Sequence, residues 1–566
     1  MRQGGIWYLD NIGVLKKYFP AGRAETEKDF IKDIFVLPEE FYRIITPDTR
    51  CIRILVGNKG SGKSSLMEYL LQKSSESSIP ALLLKPDDII TTNYGNDSSV
   101  AIIKRSLYDV LVGAIASKVG ESLKGYVSDE NVALIDKAVG EGKISQGTIG
   151  RLIDIIAPIG KGITRIDFKA MLPQYAKTND NYLRLVNGVL EKDNETFYVL
   201  IDDTDQICLP TQKNYLEVIW SFILAIQKIA ETLPNVKPIV SLRSEIWRRL
   251  EQDNHGARDQ VDHFRSMVQF LNPNEENMRK ILQRRLDFCK EELNAVYSSR
   301  YEPFFEGKDC KLPRTNQRRT WEDYLVTASR FRPRDTVQLV NKLAAEALNS
   351  DKELIDDSDV ENTALSYSQE RVNDLVNENE YLCPQLDVII KSFYKVDFEL
   401  QASELLTHLT NLPGTCRIEI KRNIVRHESE DDAFVIWKLL RDIEFFAPRL
   451  SDGRETRGFT HLRPNEDIAL IGKSRWNDMN KYTWEIHPCY RAYLIDEKEK
   501  NDNSKLPMPY NRPRDKKSIN DKTTRQTRGH CATKSDATRV KGTGVLTSKM
   551  VKGTGICLLD SHGEGN

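Results

Sequence analysis

The stretch Gly57–Ser64, GNKGSGKS, fits the pattern GxxxxGK[ST]. It directly follows the apolar run IRILV (52–56) and leads into SSLMEYLLQ (64–72), whose composition is typical of a helix. Glycines let successive backbone N–H groups curl around phosphate oxygens, and the N-terminal end of the following helix is electropositive. The strand, loop and helix together predict a site that cradles a polyphosphate.

Two side chains of this loop are of the types that contact phosphate and Mg²⁺. Lys63 is expected to reach the β- and γ-phosphates of ATP and to act in catalysis, and the Ser64 hydroxyl is expected to bind Mg²⁺. The residues assigned to nucleotide binding are Gly57, Asn58, Lys59, Gly60, Ser61, Gly62, Lys63, Ser64 and Ser65.

A second apolar run, FYVLI (197–201), ends in the acidic sequence DDTD (202–205). A buried strand that delivers a carboxylate at its C-terminal end is what a phosphate-binding loop needs to hold the Mg²⁺ shell, and Asp202 is predicted to do so. Asp203 is predicted to orient or deprotonate the attacking water, whereas Asp205 is either structural or a contact for a partner or lid residue. The alternative is an acidic turn after a core strand.

A third run, PIVSLR (238–243), places a cation at the tip of another strand. Arg243 is predicted to contact the γ-phosphate in catalysis, because a guanidinium stabilises charge spread over phosphate oxygens, and Ser241 is the second candidate. The alternative is an arginine at a strand end that is bonded to a neighbouring acid. For Arg334, in RFRPRD (330–335), we favour a solvated or structural role over a phosphate contact from a lid.

These runs, with ALLL (81–84), are short and almost continuously apolar, which is typical of strands buried on both faces of a parallel sheet. Helical patterns such as 215–233 lie between them. The predicted fold class is therefore α/β: a P-loop NTPase parallel sheet flanked by helices, then a helical lid, a winged-helix-like α+β domain and a disordered C-terminal tail. The lid helices are predicted at 275–293 and 336–348.

The predicted domain boundaries lie where the short apolar runs typical of strands end and where they occur again along the chain. The predicted domains are a lead-in (1–48), a P-loop ATPase core (49–272) with a helical insertion at about 90–190, a lid (273–375), a winged-helix-like domain (376–497) and a disordered basic tail (498–566). From residue 501 to 566 the chain has thirteen Lys or Arg and six Asp or Glu. This tail is predicted to be solvated, with weak nucleic-acid contact as the alternative.

Composition excludes several classes of protein. The chain has 566 residues, of which 40% are hydrophobic and 29% charged, which is too long for one core and too apolar for a wholly disordered chain. A net charge of −1 argues against a globally basic nucleic-acid coat. The nine cysteines are scattered singly, and no run of 18 uncharged apolar residues occurs. We therefore expect a cytoplasmic protein with no membrane partner.

The motifs together resemble bacterial P-loop ATPases of the AAA/STAND-like kind with a C-terminal winged helix. The resemblance is carried by GNKGSGKSS (57–65), LIDDTD (200–205), SLRSEIW (241–247), SRFRPRD (329–335) and the lead-in 19–35. It implies Mg²⁺-dependent ATP binding and hydrolysis coupled to a change of shape or assembly, in a homo-oligomer. Bacterial antiviral defence and mobile-element settings are implied by the resemblance alone.

The acidic pair departs from the usual pattern. It is Asp-Asp here, whereas the conventional AAA pair is Asp-Glu, so the chain is expected to be a slow switch rather than a motor. An arginine supplied in trans is not assigned; Arg258, Arg265, Arg284 and Arg285 are the candidates.

The region 384–495 fits a winged helix, with helices at 386–393, 398–409 and 432–441 and a strand at 482–487. Basic residues at 417, 421, 422 and 426 are predicted on one helix face, which either contacts double-stranded DNA or is simply solvated. Two functions therefore remain open. The first is an ATPase switch, and the second is a nucleotide-stabilised scaffold that binds DNA or a partner effector protein with little turnover.

Overall fold

The structure is a computed structural model that describes most of the chain between residues 10 and 505. The described residues are 10–20, 22, 24–77, 79–86, 100–122, 196–207, 214–252, 262–293, 296–451, 459–464 and 466–505, with the backbone of 2–3 and 6–7. All of them belong to the first of two compact units, Met1–Leu506 and Pro507–Asn566. Most of the predicted insertion and of the predicted basic tail lies outside the described residues.

The strands are short and form a five-stranded sheet, a four-stranded sheet and three two-stranded sheets. In chain order they are β1 (Arg2–Gln3), β2 (Ile6–Trp7), β3 (Arg53–Gly57), β4 (Ala81–Leu84), β5 (Phe197–Ile201), β6 (Val236–Arg243), β7 (Val268–Phe270), β8 (Asp309–Lys311), β9 (Arg318–Thr320), β10 (Glu399–Leu400), β11 (Glu419–Ile420), β12 (Asn423–Ile424), β13 (Phe446–Ser451), β14 (Phe459–His461) and β15 (Thr483–Ile486).

More of the described residues lie in helices than in strands. In chain order they are α1 (Asn11–Tyr18), α2 (Ile31–Ile34), α3 (Phe41–Ile45), α4 (Lys63–Glu76), α5 (Val100–Ser122), α6 (Tyr215–Thr232), α7 (Ser244–Gln252), α8 (Glu275–Glu292), α9 (Trp321–Thr327), α10 (Pro333–Asn349), α11 (Asp357–Asn379), α12 (Leu386–Ser392), α13 (Ala402–Asn411), α14 (Glu430–Asp442), α15 (Trp476–Met479) and α16 (Arg491–Lys505).

A five-stranded parallel sheet forms the centre of the first half, in the order β4–β5–β6–β3–β7. Its interior strand β3 is buried on both faces, because Ile54 and Val56 pack with α5 and α6 on one side while Leu55 packs with α4 on the other. The predicted α/β fold with a parallel sheet flanked by helices is confirmed. Since parallel strands end at the same edge, this sheet brings residues 57, 202 and 243 together.

The lid follows the sheet and receives the N-terminal lead-in. The predicted lid helices correspond to α8 and α10, and α8 starts at a capping box formed by Asn274 and Asn277. Helix α1 packs against this region, where Asn341 Nδ2 donates to Phe19 O at 2.6 Å and Asn11 Nδ2 donates to Pro303 O at 3.0 Å. Residues of the lead-in, the lid and the following region therefore share one hydrophobic core.

The last part of the described chain is α+β, as predicted. Helices α12, α13 and α14 accompany an antiparallel sheet in the order β10–β15–β13–β14. The identification of this part as a winged helix stays a prediction, as do the domain boundaries. The boundary predicted after residue 375 falls inside α11, and the one predicted after residue 497 falls inside α16.

The predicted basic helix face is wrong. Lys421 and Arg422 form the turn between β11 and β12, with φ angles of 49° and 67°, and Arg417 and Arg426 flank this hairpin. A two-residue hairpin turn of type I′ requires positive φ at both central positions, which glycine and asparagine usually supply. Because positions 421 and 422 are a lysine and an arginine, no sequence pattern predicted a hairpin there.

Candidate functional site

The loop between β3 and α4 folds around the ammonium group of Lys63. Lys63 Nζ donates to Gly57 O at 2.8 Å and to Asn58 O at 3.0 Å, and the residue is buried. Burial lowers the pKa of Lys63, while the carboxylates of Asp205 and Glu245 act in the opposite direction. A buried cation is thus held inside the loop by backbone carbonyl groups, where it can meet an anion.

Helix α4 begins at Lys63 without a side-chain cap. Its N-cap, Gly62, makes no side-chain hydrogen bond, so the first N–H groups of this 14-residue helix are not satisfied by a capping side chain. Ser61 Oγ is also buried and lacks a hydrogen-bond partner. Unsatisfied donors at a helix N-terminus favour an anionic ligand, and phosphate oxygens supply both the charge and the acceptors.

The predicted acidic pair lies at the end of β5 and is connected to β6 by Ser241. Ser241 Oγ donates to Asp202 Oδ1 at 2.6 Å and accepts a hydrogen bond from Asp203 N at 3.0 Å. This hydroxyl therefore fixes both residues, a role that the sequence did not indicate. Among the described residues, the second oxygen of the Asp202 carboxylate makes no hydrogen bond to a side chain.

Asp203 has a backbone conformation that is unfavourable for a residue with a side chain. Its φ is 48°, in the left-handed region, and a 3₁₀ turn at Thr204–Gln206 follows directly. In the described part of the chain its carboxylate makes no hydrogen bond or ion pair. Burial, together with the neighbouring Asp202 and Asp205, raises the pKa of Asp203 to about 6. An unpaired carboxylate with a raised pKa, on a residue whose backbone is held in the left-handed region, has the properties of a general base.

Arg243 occupies the strand-end position predicted for it, directly opposite Gly57 in the sheet register. Its Nε lies 2.8 Å from Asp205 Oδ2, and its Nη1 lies 3.9 Å from Glu245 Oε1. Although burial opposes the charge, Asp205 and Glu245 raise the pKa of Arg243. The arginine is thus bonded to a neighbouring acid, as the alternative interpretation held, while it remains beside the loop.

Arg334 reaches the loop from the start of α10. Its backbone N–H faces Gly60 O at 3.4 Å, and a Cβ atom built on Gly60 (φ 82°) would lie 3.1 Å from Arg334 Cβ. A Cβ atom on Gly22 would likewise lie 3.1 Å from Arg334 Cγ, so two glycines make room for the arginine side chain. Arg334 Nε is buried without a hydrogen-bond partner among the described residues, which argues against a solvated side chain; of the solvated or structural role that we predicted, the structural one stays open beside a ligand contact.

A pocket opens beside Ser61, Gly62 and Ser65. Its other walls come from the lead-in, from the segment after β7 and from the lid, and they include Ile34, Phe35, Leu37, Pro38, Leu271, Ile281 and Pro333. Polar residues, among them Glu27, Asn272 and Asn277, also line the pocket, and apolar walls combined with polar groups are typical of pockets for small organic ligands. The arrangement suits a nucleotide base next to a phosphate-binding loop.

The four arginines that are candidates to act in trans, on a neighbouring subunit, differ in their surroundings. Arg285 is buried, donating to Tyr18 O at 2.9 Å and to Glu27 Oε2 at 2.8 Å, so it cannot reach another subunit. Arg284 Nε donates to Asp33 O at 2.7 Å. Arg265 keeps 63% of its side chain exposed, while Arg258 lies outside the described residues. Of the candidates in the described ranges, Arg265 fits a role in trans best.

The residues also fit a magnesium ion. Within the described ranges no group of three His, Cys, Asp or Glu side chains is arranged to hold a metal. Mg²⁺ needs no such group, because it retains waters and is commonly bound by one or two protein oxygens together with substrate phosphates. Ser64 at the start of α4 and Asp202 at the end of β5 supply oxygens of that kind at one edge of the sheet.

The chain is similar to several known proteins. Residues 277–376 match the family described as FunZ-associated C-terminal helical domain, which is a minority of the chain. Over 505 residues the chain is 22% identical to the putative transposon gamma-delta 80.3 kDa protein of Escherichia coli (strain K12), covering 85% of this chain and 67% of that protein.

Solved structures give weaker likenesses. The ORC2 protein of Aeropyrum pernix aligns with a TM-score of 0.37 at 9% identity, covering 84% of this chain and 94% of that one. Cdc6p of Pyrobaculum aerophilum aligns with a TM-score of 0.28 at 10% identity, covering 85% and 95%. In the part of the chain that the structure describes, no helix is long and apolar enough to cross a bilayer.

Proposed function

We propose that this chain binds Mg-ATP at Gly57–Ser65 and hydrolyses it as a nucleotide-driven switch or assembly ATPase. The observation that carries the proposal is the placement of Lys63, Asp202 and Asp203 at one edge of a parallel sheet, beside a helix N-terminus with uncapped N–H groups. The partnerless polar atoms of Ser61 and Arg334 support it, because phosphate oxygens would satisfy them.

Each residue has a separate task in this proposal. The N–H groups of the loop and Lys63 bind the phosphates, while the pocket beside Ser65 takes the base. Ser64 and Asp202 hold Mg²⁺, which when bound neutralises phosphate charge. Asp203 accepts a proton from the attacking water, and Arg243 and Arg334 stabilise charge that develops on the γ-phosphate oxygens.

Arg243 is a switchable contact in this proposal. In the described state its guanidinium is bonded to Asp205, and a γ-phosphate adds a competing anion at the same sheet edge. When Arg243 exchanges the carboxylate of Asp205 for the γ-phosphate, Asp205 is released. Because Asp205 lies in the 3₁₀ turn at 204–206, the position of this turn then depends on the bound nucleotide. Such a dependence is what a nucleotide-driven switch requires.

Asp203→Asn is expected to lower kcat by about 100-fold or more while ATP affinity changes by less than about threefold. The wild-type kcat/KM should fall in acid with a midpoint near pH 6, because the pKa of Asp203 is raised to about 6 and only the carboxylate accepts a proton. Steady-state hydrolysis between pH 5 and 9 measures both effects.

The neighbouring variant Asp205→Asn is the control for this pH profile. Removal of a like charge lowers the pKa of Asp203, so the acid limb should persist and move to lower pH. If kcat/KM of Asp203→Asn still falls at acid pH with a midpoint near pH 6, Asp203 is not the base.

We propose a DNA-linked setting, in mobile elements or antiviral defence, with double-stranded DNA or an effector protein as partner of a homo-oligomer. The similarity to a protein named for a transposon supports it. DNA contact through α14 is disfavoured, because this helix begins with Glu430, Asp431 and Asp432. A scaffold that binds a partner protein with little turnover is therefore the second candidate.

Salt dependence separates the two partners. If DNA phosphates are bound, affinity for a 30-base-pair duplex should fall by at least tenfold between 50 and 200 mM salt, since each contact releases counterions. Fluorescence anisotropy measures this loss, and a flat or absent signal favours the protein partner.

A further inference from the structure

Glu378 lies at the C-terminal end of α11 and contacts Lys59 of the proposed phosphate-binding loop and Arg332. Arg332 lies beside that loop, since a Cβ atom built on Gly60 would be 3.8 Å from Arg332 Cβ. Glu378 Oε2 accepts from Arg332 Nη1 at 3.0 Å, and its Oε1 lies 3.6 Å from Lys59 Nζ. The Glu378 side chain is only 12% exposed. A buried carboxylate from a distant helix thus reaches a residue of the phosphate-binding loop.

The surroundings of this carboxylate are those of an anion site. Arg332 is buried, and its Nε has no hydrogen-bond partner. Burial alone would raise the pKa of Glu378, but Arg332, Arg330 and Lys59 outweigh it and lower the pKa, so the group is ionised at neutral pH. Arg243 also lies within the electrostatic reach of Glu378.

The position of Glu378 connects the loop to the α+β region. Helix α11 ends at Asn379, and Leu382 O then accepts a hydrogen bond from Lys421 N at 2.8 Å, in the β11–β12 hairpin. Glu378 therefore lies four residues before a backbone contact with the α+β region.

We propose that Glu378 determines nucleotide specificity, because it occupies cations that the γ-phosphate of ATP would otherwise bind. The inference rests on the proposed function. ADP leaves the contacts of Glu378 with Lys59 and Arg332 in place, whereas ATP brings a second anion to the same cations and expels the carboxylate. Glu378 is a positioning residue. Its displacement by ATP changes the position of residues 380–424, so that this segment differs between the ATP-bound and the ADP-bound state.

The decisive experiment compares Glu378→Gln with wild type in binding a non-hydrolysable ATP analogue and ADP, by calorimetry. Gln keeps the size and can still accept from Arg332 but removes the competing charge. We expect the analogue to bind about tenfold more tightly, while ADP affinity changes by less than twofold. Glu378→Asp, which keeps the charge and shortens the side chain, should tighten analogue binding by about threefold.

The matched control is Glu370→Gln. Glu370 lies on the same helix, pairs with Lys342 at 2.8 Å, has a side chain that is 48% exposed, and should leave both affinities unchanged. Equal affinities in wild type and Glu378→Gln would overturn the proposal. Weaker binding of both nucleotides by Glu378→Gln would also overturn it, since the residue would then support the site.

Hydrogen exchange separates failure of this proposal from failure of the proposed function. In wild type, the ATP analogue should speed amide exchange at residues 376–384, and in Glu378→Gln exchange should be fast without nucleotide. If wild type binds neither nucleotide, the proposed function fails by itself. If exchange in nucleotide-free Glu378→Gln equals that of wild type, the role of Glu378 in holding this segment is refuted.

Discussion

Lys63→Ala is expected to weaken ATP binding by at least about 100-fold and to abolish measurable hydrolysis. The ammonium is buried and bonded to Gly57 O and Asn58 O, so it is already in place for phosphate oxygens. Charge-assisted hydrogen bonds contribute about 1.5–3 kcal/mol each, and a loss of about 2.7 kcal/mol corresponds to a factor of 100 in affinity. Calorimetric titration with ATP and a phosphate-release assay measure the two effects.

Lys73→Ala provides the control on the same helix. Lys73 lies 3.3 Å from Glu76, and its side chain is 58% exposed, so its removal should leave ATP affinity within about twofold. Unchanged ATP binding by Lys63→Ala would refute the assignment of the loop. Bound but unhydrolysed ATP in wild type would favour the scaffold.

The second large effect is on stability. Asp335→Ala is expected to lower the free energy of unfolding by about 3–5 kcal/mol, because the buried Arg330 loses its carboxylate partner and Arg371 loses the buried one of its two aspartates. Arg330 contacts Asp335 through Nε at 2.7 Å and Nη2 at 2.6 Å, and Arg371 Nη1 bonds to its other oxygen. All three side chains are at most 3% exposed. Urea denaturation followed by tryptophan fluorescence measures the loss.

Asp374→Ala is the matched control, since Asp374 pairs with the same arginine. Arg371 Nη2 lies 2.9 Å from Asp374 Oδ2, but this aspartate is 28% exposed, and its removal should cost less than about 1 kcal/mol. Burial opposes ionisation of Asp335, yet Arg330 and Arg371 lower its pKa. Its contribution is therefore present at neutral pH and is lost as the pH falls through the lowered native pKa. Equal losses in the two variants would contradict the argument.

The parallel sheet was predictable because its strands are buried on both faces and therefore nearly continuous in apolar character. The runs around Ile54, Leu82, Val199 and Ile239 all became strands. The fifth strand, Val268–Phe270, was missed because it has three residues, lies at the sheet edge and leaves Phe270 49% exposed. Nothing in so short a run distinguishes a strand from a loop.

The site was predictable only where one sequence segment carries the chemistry. Gly57–Ser65 and Asp202–Asp203 are each local motifs, and their roles remain predictions that the geometry supports. Ser241 as a bridge and Glu378 as a contact of Lys59 depend on tertiary packing between distant segments. Glu378 lies in the stretch NENEY (377–381), where no sequence pattern distinguishes it from the neighbouring Glu380.

The packing of the lead-in against the lid sets an order of events during synthesis. Phe19 O accepts a hydrogen bond from Asn341, 322 residues further along the chain, and the lead-in also forms a wall of the pocket beside Ser65. At about 5–20 residues per second, a ribosome needs roughly 16–64 s to make the intervening segment. The nascent chain thus carries a finished phosphate-binding loop sequence long before its pocket can close. If the proposed site binds ATP, nucleotide captured during translation would be held without the lid residues of the pocket, and full affinity would arrive only after the lid has emerged.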